Sequence, residues 1–303
     1  MNWELKLIAL YLWVCEGFEE GAAAYAQRLS KNTKSFELGF TDEEAVTVYL
    51  YGITRKYTEV KDIHRYTKDH LLDWFPKLPS YEKFNSRLNF LNNVFGALAG
   101  KALSEQRFPQ WLVQGRQMPD AVVDSMPIIL AMGSRADSAK VAVEVANKGR
   151  CASKGFYYHG LKLHQLGLCC PNRMPIPKSL LLSGASENDN TFFKEQIAPM
   201  FSCLRVYGDK IYHDEAGRIE LKRMFGIEVL PSQRRKKGQK HLKADQKIFS
   251  TLVSRIRQPV ESFFNWINQK TGIQIASKVR SLKGLFKHVY AKLTAGLLIL
   301  IGF

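Results

Sequence analysis

The sequence lacks the cysteine spacing of a disulfide framework or of a zinc site. Its cysteines are odd in number, and none belongs to a C-x-x-C pair; they are Cys15, Cys151, Cys169, Cys170 and Cys203. Disulfide-rich secreted scaffolds and structural zinc sites both depend on regular, paired spacing, so the pattern argues against both classes. Unpaired cysteines are typical of a protein from the reducing cytosol.

Long apolar runs are also missing. The apolar tail Leu297–Ile301 is far short of the roughly 20 residues that a membrane-spanning helix needs. Near the N-terminus Glu4 and Lys6 interrupt the apolar residues and no cleavage-site pattern follows, so no secretory signal is predicted. Internal repeats and low-complexity tracts are absent as well. We therefore expect no membrane partner.

Acidic residues become scarce towards the C-terminus. The net charge is +16, and from Pro231 to Phe303 fifteen lysines and arginines stand against only Asp245 and Glu261. A positive field of this size attracts polyanions, and with a membrane surface disfavoured the predicted partner is nucleic acid. A basic loop at 234–243 is expected to contact the DNA backbone through Arg234, Arg235, Lys236, Lys237 and Lys240.

Residues 1–115 are predicted to form an all-α domain. Apolar residues recur at helical spacing from Leu5 onward, and Thr41 to Glu44 forms a capping-box sequence before an apolar stretch. Basic side chains on such a unit fit a helix-turn-helix-like DNA-binding module. A plain helical bundle fits the pattern equally well, because one sequence does not single out a recognition helix.

Residues 116–303 change to an alternation of strands and helices. The order is three strands, then helix, strand, helix, strand, helix, which is the succession of a ribonuclease-H-like α/β domain with a mixed five-stranded sheet flanked by helices. The predicted strands cover 120–130, 154–167, 174–183, a run ending at Gly208, and 227–230; the predicted helices cover 190–200, 216–225 and 244–269.

Three carboxylates occupy notable positions in this order. Asp124 interrupts the apolar first strand, Asp209 follows the fourth, and Glu261 is on the last helix. A buried carboxylate costs free energy unless something pairs with it. The first and fourth strands of such a sheet are neighbours and the last helix packs across them, so we expect the three acids to converge. Oxygen ligands without Cys or His favour two Mg²⁺ or Mn²⁺ ions, which suit phosphodiester chemistry.

Several blocks of the sequence resemble the DDE transposases of bacterial insertion sequences. The blocks are Val-Asp-Ser-Met-Pro-Ile around Asp124, Tyr-Tyr-His-Gly-Leu-Lys ending at Lys162, Gly-Ala-Ser-Glu-Asn-Asp ending at Asp189, and Gly-Asp-Lys-Ile-Tyr around Asp209. The third acid resembles that of the Tyr-Arg-Glu-Lys signature group. Arg257 and Glu261 match its middle pair, whereas Ser254 and Asn268 replace its Tyr and Lys, with Lys270 two residues further on.

The resemblance implies a DNA transposase that binds the terminal inverted repeats of its element. Such an enzyme catalyses metal-dependent phosphodiester hydrolysis and strand transfer as a homodimer on double-stranded DNA, and is cytoplasmic and nucleoid-associated in a bacterium. Asp124, Asp209 and Glu261 would hold two Mg²⁺ or Mn²⁺ ions, Arg257 would act on phosphate or orient Glu261, and Lys162 and Lys270 would contact DNA.

Three alternatives stay open at the sequence level. Asp189 is the rival of Asp209 for the second carboxylate, although its position before a helix is also typical of an N-cap or turn residue. A nuclease on the same fold would hydrolyse DNA without strand transfer. A catalytically degraded DNA-binding descendant is the third alternative, because half of the signature is substituted.

Overall fold

The computed structural model describes residues 2–26, 39–108, 118–151, 155–235, 238–239 and 241–303. The chain forms two compact units. One unit consists of residues 1–106 together with 267–303, and the other of residues 107–266. The first is helical, and the second contains the sheet.

The helical unit is built from amphipathic and buried helices: α1 Trp3–Glu19, α2 Asp42–Thr54, α3 Val60–His70, α4 Tyr81–Phe90 and α5 Asn92–Ser104. The capping box predicted at α2 is present. Thr41 Oγ1 accepts from the Glu44 amide at 3.2 Å, and Glu44 Oε2 accepts from the Thr41 amide at 2.6 Å. These bonds satisfy two backbone donors that the start of a helix leaves without partners.

The helix Leu282–Ile301 lies in the same unit and packs on α5 and α2. It is long and apolar enough to cross a membrane by length and composition alone. Two-thirds of it is buried inside the protein, as expected for the core helix of a bundle. Residues 267–303 thus belong to the same unit as the N-terminal helices, whereas the predicted division at residue 115 assigned them to the catalytic domain.

Two lysines of this helix are buried, and we expect them to make stability depend on pH. Lys292 is 2% exposed and Lys287 is 7% exposed; their amines donate to the Gly272 carbonyl and to Asn85 Oδ1. Burial lowers the pKa of each amine from 10.5 to about 8. Between these values the unfolded chain binds more protons than the folded chain, so this contribution to stability rises with pH across that window.

Lys292→Met tests this expectation because it removes one buried amine and keeps a similar shape. At pH 7 the variant should be more stable than the wild type, and this advantage should shrink by up to about 3 kcal/mol as the pH rises from 8 to 10.5. Urea unfolding at each pH measures the difference, and Lys68→Met on the surface of α3 is the control. A Lys292→Met effect that does not change with pH would contradict the burial argument.

The second unit contains a six-stranded sheet: β1 Asp120–Met132, β2 Asn147–Cys151, β3 Phe156–Leu168, β4 Ile176–Gly184, β5 Arg205–Gly208 and β6 Glu228–Pro231. The order is β2-β3-β1-β5-β6, and β4 pairs with β3. β1 is antiparallel to β3 and parallel to β5. Without the short β2 the order is that of a ribonuclease-H-like domain, so the predicted fold is confirmed.

Helices cover the sheet and complete its core. The helix Glu215–Phe225 lies between β5 and β6 in the sequence. Apolar side chains from one face of β1 and β3 pack with Phe193, Ile197 and Leu221. The helix predicted at 244–269 is two helices, Ala244–Arg257 and Pro259–Thr271. Proline lacks an amide proton and suits the first position of a helix, so the second helix begins at Pro259.

Candidate active site

Asp124 lies in the middle of β1, where two neighbouring strands fix its position. It pairs with Gln165 on β3. On the other side the parallel register joins Ala121 to Val206 and Val122 to Tyr207. Continuing this register for two residues brings Asp209, just past the end of β5, beside Asp124. The sheet thus brings the first two predicted acids together although they are far apart in sequence.

Arg257 connects Asp124 to the third acid. Its Nη1 donates to Asp124 Oδ2 at 2.5 Å, and its Nη2 donates to Glu261 Oε1 at 2.9 Å. The guanidinium lies at the end of one helix and Glu261 in the first turn of the next. One arginine therefore holds two carboxylates from different elements, as its rigid fork of donors allows.

The electrostatic environment of Asp124 opposes its ionisation. Its side chain is 22% exposed, and the net pKa of its carboxyl is raised from 3.8 to about 6, with burial as the largest cause. The charge of Arg257 and the Ser125 amide lower this pKa, whereas the charges of Asp209 and Asp189 raise it. Several like charges in one place are typical of sites that bind cations or perform catalysis.

Tyr212 lies among these carboxylates. Its ring is 1% exposed and its hydroxyl is buried without a hydrogen-bond partner among the described residues. Burial raises the pKa of Tyr212 well above its usual value, and the charges of Asp124, Asp189 and Asp209 raise it further. Asp209 itself caps the short helical turn Lys210–Tyr212 by accepting from the Ile211 amide.

Asp189 has a different environment from Asp209. Its Oδ1 accepts from Lys162 Nζ at 2.7 Å and its Oδ2 accepts from Ser125 Oγ at 2.9 Å. Both oxygens are thus occupied, and a lysine compensates the charge. The N-cap of the helical turn Asp189–Phe192 is Asn188, whose side chain accepts from the amides of Asn190 and Thr191. Asp189 is therefore part of an internal ion pair.

The oxygen donors at the site suit a hard divalent cation. Asp124 and Asp209 offer carboxylate oxygens without Cys or His, and their mutual repulsion is the conflict that a cation relieves. In the part of the chain that the structure describes, however, no group of three or more His, Cys, Asp or Glu side chains is arranged to hold a metal ion. Arg257 lies between Asp124 and Glu261 instead.

An open cleft of about 1090 Å³ lies on the same unit. Its lining includes Asp120 and Val122, which share the face of β1 that carries Asp124. Arg173, from the turn between β3 and β4, and Arg255 from the helix that carries Arg257 also line it. The cleft thus combines space with two arginines, although Asp124, Asp209, Arg257 and Glu261 are not among the residues that line it.

Comparison with known protein families identifies the family of the chain. A family model described as a transposase DDE domain matches residues 118–298, more than half of the chain. The chain belongs to the DDE transposase family. No curated protein and no solved structure matches it. Members of the DDE family generally use divalent metal ions, which agrees with the donor chemistry of Asp124 and Asp209.

The residues predicted to bind DNA differ from one another in exposure and in the unit of the DDE transposase to which they belong. Arg234 and Arg235 are exposed after β6, whereas Lys236, Lys237 and Lys240 lie outside the described residues. Lys162 is 14% exposed and donates to Asp189 and to the Glu187 carbonyl. Lys270 belongs to the helical unit and not to the unit that contains the acids.

Sequence reasoning misses two features of the transposase site, namely the contact of Ser125 with Asp189 and the burial of Tyr212 beside three acids. The alternation of β1 places Ser125 on the face opposite Asp124, and this signal alone does not reveal its partner 64 residues away. Tyr212 follows Asp209 in a block that resembles the family, but its burial depends on tertiary packing.

Proposed function

We propose that this DDE transposase binds the terminal inverted repeats of a bacterial insertion sequence and catalyses hydrolysis and strand transfer at the element ends. The observation that carries the proposal is the arrangement of Asp124, Asp209, Arg257 and Glu261. β1 and β5 bring the first two together, and Arg257 binds Asp124 and Glu261 at once. These residues suit in-line displacement at phosphorus better than any other chemistry.

In this proposal Asp124, Asp209 and Glu261 hold two Mg²⁺ or Mn²⁺ ions. When bound, such ions supply an activated water or 3′-hydroxyl and stabilise the leaving oxygen. Arg257 uses two of its five N–H donors on the carboxylates and has others for the scissile phosphate. The partial burial of Asp124 limits the access of bulk water and strengthens these electrostatic contacts.

DNA contacts would come from the basic surface of both units. We assign backbone contacts to Arg234, Arg235 and the arginines that line the cleft, and recognition of the inverted repeats to the helical unit. Such contacts make affinity fall steeply with salt concentration. Cleavage and joining at two ends require two active sites, so we propose a homodimer on double-stranded DNA in the bacterial cytoplasm, associated with the nucleoid.

An end-joining assay tests this function. Labelled DNA carrying the element end is incubated with the protein, a supercoiled plasmid and Mg²⁺, and we expect both cut ends and labelled plasmid. With DNA already cut at the element end, labelled plasmid should form when the terminal nucleotide has a 3′-hydroxyl and should not form when it is 3′-deoxy, because strand transfer needs that hydroxyl. Cut products without joined plasmid would instead identify a nuclease, and neither product would favour a descendant that only binds DNA.

A further inference from the structure

A chain of hydrogen bonds runs from Lys162 to the residue beside Asp124. Lys162 Nζ donates to Asp189 Oδ1 at 2.7 Å, and Ser125 Oγ donates to Asp189 Oδ2 at 2.9 Å. The Ser125 amide in turn donates to Asp124 Oδ1 at 2.8 Å. Ser125 thus binds Asp124 through its backbone amide and is itself held by the bond from its hydroxyl to Asp189. All four residues belong to the sheet-containing unit.

The geometry of the sheet explains why this contact forms. Ser125 is opposite His164 in the antiparallel pair of β1 and β3. Lys162 lies two residues before His164, so its side chain projects from the same face as that of Ser125. Asp189 begins a helical turn that follows β4, and it accepts from both Ser125 and Lys162 on this face. Side chains from three separate segments, β1, β3 and the turn after β4, therefore meet on the face of β1 opposite Asp124.

The ion pair between Lys162 and Asp189 is largely shielded from solvent. The side chains of Lys162 and Asp189 are each 14% exposed, and Lys162 also donates to the Glu187 carbonyl at 2.6 Å. Removing one partner from such a pair leaves an uncompensated charge, which destabilises the fold. The carboxylate of Asp189 is thus a fixed acceptor for the Ser125 hydroxyl.

We propose that Asp189 and Ser125 are positioning residues that fix the orientation of the Asp124 carboxylate for cation binding. The inference rests on the proposed function of Asp124. Asp189 acts on Asp124 through Ser125, and Asp209 remains the second carboxylate ligand of the cations. Hydrogen bonds from outside the ligand set orient ligating carboxylates, and their loss typically weakens metal affinity or activity by about 10–100-fold.

Four variants test the role, each with a distinct purpose. Ser125→Ala removes the hydroxyl and leaves the ion pair intact, and Ser125→Thr restores a hydroxyl. Asp189→Ala removes the acceptor, and the double variant Ser125→Ala with Asp189→Ala measures coupling. The matched control is Asp214→Ala, since Asp214 pairs with Lys194 at 2.6 Å in the same unit and also accepts from a backbone amide.

Two measurements are needed on each full-length variant. Mn²⁺ binding is followed by electron paramagnetic resonance without DNA, and kcat and KM are measured for cleavage of the element end. We expect Ser125→Ala and Asp189→Ala to weaken Mn²⁺ binding and to lower kcat by about 10–100-fold, with KM for DNA unchanged. Ser125→Thr should retain wild-type values, the double variant should be no worse than Asp189→Ala, and Asp214→Ala should bind Mn²⁺ normally.

The opposite results overturn the role. Wild-type Mn²⁺ affinity and kcat in Ser125→Ala would show that the hydroxyl does not position Asp124, as would equal losses in Ser125→Thr and Ser125→Ala. Equal effects of Asp189→Ala and Asp214→Ala would indicate an ordinary ion pair. Asp124→Asn separates this from the proposed function: an active Asp124→Asn protein overturns both, whereas an inactive one beside a normal Ser125→Ala overturns only the positioning role.

Discussion

Asp124→Asn is expected to lower the rate of DNA-end cleavage by about a thousand-fold, while the affinity for end DNA stays within about two-fold. The amide keeps the size of the side chain but loses the negative charge on which a cation depends, and removal of one electrostatic group from an active site costs up to about 10³ in rate. Fluorescence anisotropy with labelled end DNA measures binding, and gel analysis of cut products measures cleavage.

Unfolding should not explain this loss. Burial already disfavours the charge of Asp124, raising its pKa to about 6, so its neutral replacement should melt close to the wild-type temperature. Asp120→Asn is the control, because Asp120 lies on the same face of β1 and pairs with Arg205 at 3.2 Å. It should cleave normally. Normal cleavage by Asp124→Asn would instead support a protein that only binds DNA.

Gly160→Ala should destabilise the sheet-containing unit by about 3 kcal/mol. Gly160 pairs with Ile129 on β1 and with Asn147 on β2, beside the bulge that shifts the register after Ile129. A Cβ at this position would lie far inside van der Waals distance of the Ile128 carbonyl oxygen, which is backbone and is held in the strand. The two strands must therefore move apart, and such overpacking costs about 1–3 kcal/mol or more.

Urea unfolding followed by circular dichroism measures this change, and Gly100→Ala is the matched glycine substitution. Gly100 lies in helix α5, and a Cβ added there would meet open space among the described residues. Alanine should therefore stabilise the helical unit by about 1 kcal/mol. A lower midpoint for Gly160→Ala and a higher one for Gly100→Ala is the expected pair. A wild-type midpoint for Gly160→Ala would contradict the close approach of β1 and β3.

The central part of the fold follows from local sequence patterns. The apolar run around Asp124, the alternating strand ending near Gly167 and the turn after Gly208 each carry a strong periodic or turn signal. Those signals give the strand order, and the order brings Asp124 and Asp209 together without further information. Arg257 and Glu261, one helical turn apart in the sequence, are predicted to act as a pair and do contact each other.

Other features depend on contacts that no local pattern reveals. β2 is the polar stretch Asn147–Cys151, whose pairing with β3 has no alternating apolar signal. The helix Leu282–Ile301 could equally have covered the sheet, and only tertiary packing places it on α5. The bond between Ser125 and Asp189 joins residues 64 positions apart and likewise follows from the assembled sheet.

The helical unit is formed by residues 1–106 and 267–303, and the residues of the sheet-containing unit lie between these two segments in the sequence. Synthesis proceeds from the N-terminus, so α2 and α5 leave the ribosome long before the helix Leu282–Ile301 on which they pack. Until then the faces of α2 and α5 on which this helix packs lack their covering. A nascent transposase can therefore complete its sheet before it completes the helical unit, because that unit also needs the helix Leu282–Ile301.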